Sequence, residues 1–127
     1  MASDIRTARG SLGERIAATH LVRAGYTIIA RNARTRYGEI DLIAADARCI
    51  VFFEVKTRVA LGGSGPSTPL DAIGPAKRRQ VRRLARHWLA ETASERPHRD
   101  GLRFDAIGIT LSPSGALLAF EHVEDAF

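Results

Sequence analysis

The sequence predicts an α/β fold in which two helices flank a central mixed β-sheet, in the order α-β-β-β-α-β-β. Three observations predict it. Apolar residues recur at helical spacing in two stretches, one near the start and one over 75–92. Between them lie three strand-like segments, of which 49–56 is a near-continuous apolar run. Two more strand-like segments follow the second helix, and helices packed on a mixed sheet bury such a set.

Residues 1–10 read as a polar, flexible leader, and 11–127 as a single domain. Ser11-Leu12-Gly13-Glu14 reads as a capping box that opens the first helix, with Glu14 reaching back to the Ser11 backbone N–H. Ile16, Ala17, Leu21 and Ala24 follow at helical spacing, and Gly25 closes the helix. Tyr26-Thr27-Ile28-Ile29 reads as a short strand and Asn32 as a turn. The segment 39–44 alternates, with Ile40, Leu42 and Ala44 on one side and Glu39, Asp41 and Ile43 on the other. A turn at Asp46-Ala47 leads into the strand 49–56. The Gly-, Pro- and Ser-rich segment 59–75 reads as a mobile loop, in which Thr68-Pro69-Leu70-Asp71 is suited to start one helical turn. In the helix 75–92, Val81, Leu84, Ala85, Trp88 and Leu89 form the apolar stripe, and Arg78, Arg79, Arg82, Arg83 and Arg86 cover the other faces. A strand over 103–111, a turn at Ser112-Pro113-Ser114-Gly115 and a strand over 116–122 complete the chain.

The 127 residues suit one core, and a hydrophobic content of 45% is enough to fill it. No apolar run has the length of a membrane span, and the first residues lack the apolar stretch of a secretory signal. Cys49 is the single cysteine, so no intramolecular disulfide forms; a reduced, cytoplasmic setting is expected. With 19 Lys+Arg against 14 Asp+Glu the net charge is +5, and nearly all the cations are arginine, whose planar fork matches phosphate. That balance favours polyanionic partners.

Chemistry concentrates on the two strands around Asp46. Residues two apart share a strand face, so Glu54 and Lys56 project together. If 39–44 and 49–56 form a hairpin, a two-residue loop sets Asp41 against Phe52 and a four-residue loop sets it against Glu54. Either even count brings Asp41 to the Glu54/Lys56 face, and an odd count without a bulge sends it away. Carboxylates so placed repel, and a divalent cation such as Mg²⁺ relieves the repulsion while filling its shell with water and phosphate oxygens. Lys56 beside them suits electrostatic stabilisation of a scissile phosphate. The competing reading makes these residues solvated strand ends. Against it, Asp41 is embedded between Ile40 and Leu42, and Glu54 between Phe53 and Val55.

Gly38-Glu39-Ile40-Asp41-Leu42-Ile43-Ala44 followed by Glu54-Val55-Lys56-Thr57-Arg58 resembles the Asp…Glu-x-Lys signature of restriction-endonuclease-like nucleases. The sequence is most similar to the YraN-like family (uncharacterised protein family 0102), relatives of archaeal Holliday-junction resolvases. The likeness extends to Gly13-Glu14, Gly25-Tyr26, Arg31-Asn32, Lys77, Phe104-Asp105 and the closing His122-Val123-Glu124-Asp125-Ala126-Phe127.

The resemblance implies a restriction-endonuclease-like core and Mg²⁺- or Mn²⁺-dependent hydrolysis of DNA, branched or single-stranded, with Asp41, Glu54 and Lys56 as the catalytic set. It implies Glu14 as a further metal-binding acid, in competition with its capping role, and a homodimer suited to symmetric cutting of two strands. Glu39 shares the Asp41 face. Lys77 either reaches the substrate phosphate, with Gln80 nearby, or snorkels from the helix start. Arg34, Arg36 and Arg58 flank the strands and, with Arg78, Arg79, Arg82, Arg83 and Arg86, are candidates for contacting the nucleic-acid backbone. A silent nucleic-acid-binding module and an RNA-directed nuclease are the alternatives. The four histidines lack metal-ligand spacing, and Asp105 at a strand start is expected to be structural.

Overall fold

The computed structural model describes residues 2–60, 70 and 73–127, with residues 2–9 described by their backbone alone. The element order is α1 (Ala2–Arg23), β1 (Thr27–Thr35), β2 (Gly38–Ala45), β3 (Cys49–Val59), α2 (Pro75–Glu91), β4 (Gly101–Leu111) and β5 (Leu117–Val123). The strands form one sheet in the order β1-β2-β3-β4-β5, antiparallel except for the parallel pair β3–β4 that α2 connects. This is the α/β arrangement expected.

The sheet has a core on each face. Under α1, Ala17, Ala18 and Leu21 meet Leu42, Ala44, Val51, Phe53, Ile107 and Ile109. Under α2, Val81, Leu84, Ala85 and Trp88 meet Ile40, Ile43, Ala45, Ile50 and Phe52. Consecutive β3 residues therefore enter different cores, which is why that strand reads as an unbroken apolar run. Pro75 opens α2 at a position that needs no N–H partner, and Thr92 closes it by donating N–H and Oγ1 to Trp88 O at 3.1 and 2.7 Å.

Several expectations are corrected. Helix α1 begins at Ala2, so residues 2–10, read as a leader, are helical in backbone. They contain Ala2, Arg6, Ala8 and Arg9, good helix formers, and no proline. Ser11 consequently lies inside the helix, where its N–H needs no side-chain cap; the capping box does not form and Glu14 is released from it. Asn32 is no turn: β1 runs through it, and the turn is Arg36-Tyr37. Asn32 instead takes φ +48°, a left-handed conformation that asparagine tolerates better than most residues. Ile40, Leu42 and Ala44 do not share a face. Ile40 enters the α2 core and the other two the α1 core, so the alternation of β2 breaks at Asp41. The loop expected over 59–75 begins where β3 ends and stops where α2 starts; its stretches 61–69 and 71–72 lie outside the described residues, as does most of the helical turn expected at Thr68-Pro69-Leu70-Asp71.

Candidate active site

The β2–β3 hairpin decides which face Asp41 occupies. Asp46 closes it: Oδ1 accepts the N–H groups of Arg48 and Cys49 at 2.8 and 2.7 Å, and Ala45 pairs with Ile50. The four-residue loop is the one formed. Pairing runs to Leu42↔Phe53 and then stops, and one further step of the same register sets Asp41 opposite Glu54. Beyond that point β3 continues to Val59 on its β4 side. The Val55 N–H donates at 2.8 Å to Asp41 Oδ2, a side chain taking the place of a strand carbonyl. The ladder opens where the two acids meet.

Glu54 is buried, with 4% of its surface exposed. Two ammonium groups face its Oε1, Lys77 Nζ at 3.4 Å and Lys56 Nζ at 3.8 Å. They do not compensate for the surroundings. Burial, and then the charge of Asp41, raise the Glu54 carboxyl from its ordinary 4.5 to about 7. Asp41 is raised too, chiefly by burial, although the Val55 N–H, Lys77 and Lys56 oppose the shift. Glu14 is raised by burial and by the Asp41 charge, against a hydrogen bond from Asn32. Asn32 lies between the register pairs Arg31↔Leu42 and Ala33↔Ile40, opposite Asp41. It therefore joins the site, although its sequence reading as a turn gave no sign of this. The available signal was an asparagine, tolerant of positive φ, within an otherwise strand-like stretch.

Glu14 reaches the site because α1 lies close to β3. A Cβ on Gly13 would stand 1.9 Å from Thr57 Oγ1, so only glycine allows this approach. Glu39 is half-exposed and pairs at 3.6 Å with Arg34, its register neighbour, while adding negative potential at Asp41 and Glu14. Gln80 is exposed beside Gly38.

The arginines of α2 divide. At 3.6 residues per turn, Arg78 and Arg82 share one flank and Arg79 and Arg83 the other. Arg82 lies 4.8 Å over the Phe104 ring and donates to Phe127 O, and Arg78 stands 6.0 Å over the Phe127 ring. Arg79, Arg83 and Arg86 are exposed, as are Arg34 and Arg36, while Arg58 is half-buried.

The donor set suits a hard divalent cation. Asp41 and Glu54 offer carboxylate oxygens from neighbouring strands, and both are held in surroundings that disfavour their negative charge. Mg²⁺ and Mn²⁺ bind such oxygens through one or two carboxylates and complete their shells with water. Among the described residues no group of three or more His, Cys, Asp or Glu side chains is gathered tightly enough to hold an ion by itself.

A second polar cluster went unseen in the sequence apart from the expectation that Asp105 is structural. Asp105 is fully buried; it accepts Arg103 Nε at 2.9 Å, Asp125 N–H at 2.9 Å, and lies 2.8 Å from His122 Nε2. Arg103 also bonds Tyr26 Oη and Asp46 Oδ2. Burial alone would raise Asp105, but the His122, Arg103 and Asp125 hydrogen bonds outweigh it and hold the carboxyl below its ordinary value.

The family model described as uncharacterised protein family UPF0102 matches residues 13–109. Among curated relatives, a UPF0102 protein of Rhodococcus opacus is 46% identical over 120 residues, covering 94% of this chain and 96% of its own. One from Symbiobacterium thermophilum is 47% identical over 108 residues, covering 85% of this chain and 86% of the relative. One from Geobacter metallireducens is 45% identical over 118 residues, covering 93% and 90%.

Proposed function

The chain belongs to the uncharacterised protein family UPF0102, the YraN-like group its strand motifs resemble, and from that premise we propose that it is a metal-dependent endonuclease hydrolysing phosphodiester bonds in structured or branched DNA. One observation carries the reading: a buried acid, Glu54, and a half-buried one, Asp41, meet on adjacent strands where β2 leaves β3, with Lys56 beside them. Asp41 and Glu54 would hold the metal, with Glu14 near enough to act on Asp41 electrostatically. When bound, Mg²⁺ or Mn²⁺ supplies charge neutralisation and an acidified water.

The chain's own residues supply the rest. The Val55 N–H fixes Asp41 Oδ2, and Oδ1 would turn to a ligand. Lys56 and Lys77, both partly exposed, have ammonium groups that can leave Glu54 for a non-bridging phosphate oxygen and stabilise charge developing there. The exposed arginines of the β1–β2 hairpin and of the Arg79/Arg83 flank would hold the backbone through salt-sensitive contacts. A homodimer would suit cutting of two strands, and the free Cys49 thiol suits a reducing, cytoplasmic setting. No helix among the described residues is long and apolar enough to cross a membrane.

A second reading, a catalytically silent nucleic-acid-binding module, is favoured by the pairing of Glu54 with two lysines, which gives the acid cationic partners without any metal. Labelled junction, flap, duplex and RNA substrates incubated with Mn²⁺ separate the readings. Cleavage of DNA by the wild type, lost in Asp41→Ala and Glu54→Ala, is expected. Activity that survives both substitutions sinks the site, binding without cutting supports the silent module, and a preference for RNA displaces DNA as the substrate.

A further inference from the structure

The β1–β2 hairpin carries an aromatic side chain that the hydrophobic cores do not use. Tyr37 is 49% exposed, yet it is firmly built in. Thr35 Oγ1 donates to Gly38 O at 3.0 Å and accepts the Tyr37 N–H at 3.1 Å, which locks the turn. Gly38, at φ +148°, rests against Leu84 of α2, so the hairpin tip is docked on that helix. The Tyr37 ring packs on His87, with centroids 4.3 Å apart, and the Arg36 guanidinium lies over it at 5.5 Å. The ring thus has a fixed backing and a flank open to solvent.

Its position relates it to the acids. Lys77, Gln80, Leu84 and His87 follow one another along a single side of α2. Lys77 touches Glu54 at one end and His87 touches Tyr37 at the other, about 15 Å apart by the helical rise. Arg83 is exposed on the same flank as His87, and Arg34 is exposed on β1. An aromatic ring with Arg36 against it and the exposed Arg34 and Arg83 nearby, on the helix side that also carries Lys77, has the composition of surfaces that take single-stranded nucleic acid.

We propose that Tyr37, backed by His87 and framed by Arg36, is a stacking platform for an unpaired base of the DNA strand whose phosphodiester lies against Asp41 and Glu54. The platform rests on the nucleic-acid reading above and narrows its substrate class to DNA with unpaired nucleotides beside the cut. Inside a continuous duplex each base is already stacked on both faces and has none to offer the ring; in a flap, gap or opened junction it does.

The test uses the full chain in EDTA, so that nothing is cut, with single-stranded and duplex oligodeoxynucleotides carrying 2-aminopurine as a stacking reporter. Wild type and Tyr37→Phe are expected to quench the single-stranded probe. Tyr37→Ala and Tyr37→Leu are expected to lose the quench and to bind that strand about 5- to 100-fold more weakly, with duplex binding unchanged. Tyr37→Leu keeps apolar bulk on His87, and its unfolding temperature shows that the hairpin is intact. Unchanged single-strand affinity in both variants, or an equal loss for duplex, overturns the platform. Equal Tyr37-dependent binding of single-stranded RNA overturns the assignment to DNA. Tyr37-dependent quenching in a protein that cuts nothing keeps the platform and removes the nuclease; cutting that needs Asp41 and Glu54 but not Tyr37 does the reverse.

Discussion

Asp105 and Glu54 are both buried acids, one step apart along the β3–β4 ladder, since Asp105 pairs with Phe53 and Glu54 is the next residue of β3. They face opposite cores, and their surroundings act on them in opposite directions. Under α1, Asp105 has a guanidinium, an imidazole and a backbone N–H aimed at its oxygens, and its carboxyl is held low. On the α2 side, Glu54 has a second acid opposite it and two ammonium groups at longer range, and its carboxyl is pushed up to about 7. Equal burial therefore says little about purpose. Three short hydrogen bonds hold the Asp105 charge in place, while the two lysines at Glu54 do not offset its burial and the neighbouring Asp41 charge.

The largest effect should come from deleting each acid. Asp105→Ala leaves Arg103 without its main partner in a half-buried position and should cost about 3–5 kcal/mol in urea unfolding. Glu54→Gln should leave stability at neutral pH unchanged or raised, and abolish cleavage. A Glu54→Gln loss as large as that of Asp105→Ala would erase the contrast.

Titration should separate the two next. A carboxyl raised on folding contributes stability that is complete below its unfolded value and is lost as pH climbs through its folded one. For Glu54 in EDTA that window runs from about 4.5 to about 7 and is worth about 3 kcal/mol. Asp105, lowered on folding, contributes above its unfolded value near 3.8 and loses that contribution as pH falls further. Urea midpoints across pH should show both limbs, with Glu54→Gln shrinking the upper one, to which Asp41 and Glu14 also contribute, and leaving the lower one unchanged.

Metal should then reverse the imbalance at one site only. At a hundred times its dissociation constant, Mn²⁺ should stabilise the wild type by about 2.7 kcal/mol, seen as a rise of several degrees in Tm. Glu54→Gln should show no rise, and Asp105→Asn, if it folds, should retain it. Gly13→Ala should cost about 1–3 kcal/mol by forcing α1 off Thr57. Because it displaces Glu14 from Asp41, cleavage should fall further than folding does, which paired activity and unfolding measurements would reveal.

The smallest contrast concerns α2. Arg82→Ala should cost about 0.5–1 kcal/mol of stability through its lost position over Phe104, with DNA affinity unchanged. Arg83→Ala should spare stability and lower the salt slope of DNA binding by about one.

Much of this was legible from residue order, and the exceptions share a cause. Strand alternation placed Glu54 with Lys56, and hairpin parity narrowed Asp41 to two registers, one of which the Asp46 turn realises. Helical spacing located the stripe of α2, of which Val81, Leu84, Ala85 and Trp88 are buried and Leu89 partly so. Periodicity could not show the break at Asp41, where β2 leaves its pairing with β3 and Asn32 opposite takes a positive φ. Nor could it join Arg103, Asp105, His122 and Tyr26, which come from three parts of the chain, or divide the α2 arginines by what lies beneath each flank. Those are tertiary facts, and a local pattern is silent about them.

The hairpin register has a consequence for how such a gene can vary. Asp41 and Glu54 are separated from the Asp46 turn by arms of equal length, 42–45 and 50–53, paired rung by rung. Substitutions within the arms change packing, but one codon gained or lost in either arm, unless a bulge absorbs it, shifts every rung beyond it and sends one acid to the opposite core. Such a lesion would keep the reading frame, most of the apolar residues and both acids, and still separate them. The meeting of the two acids therefore constrains the count of this window more tightly than its letters.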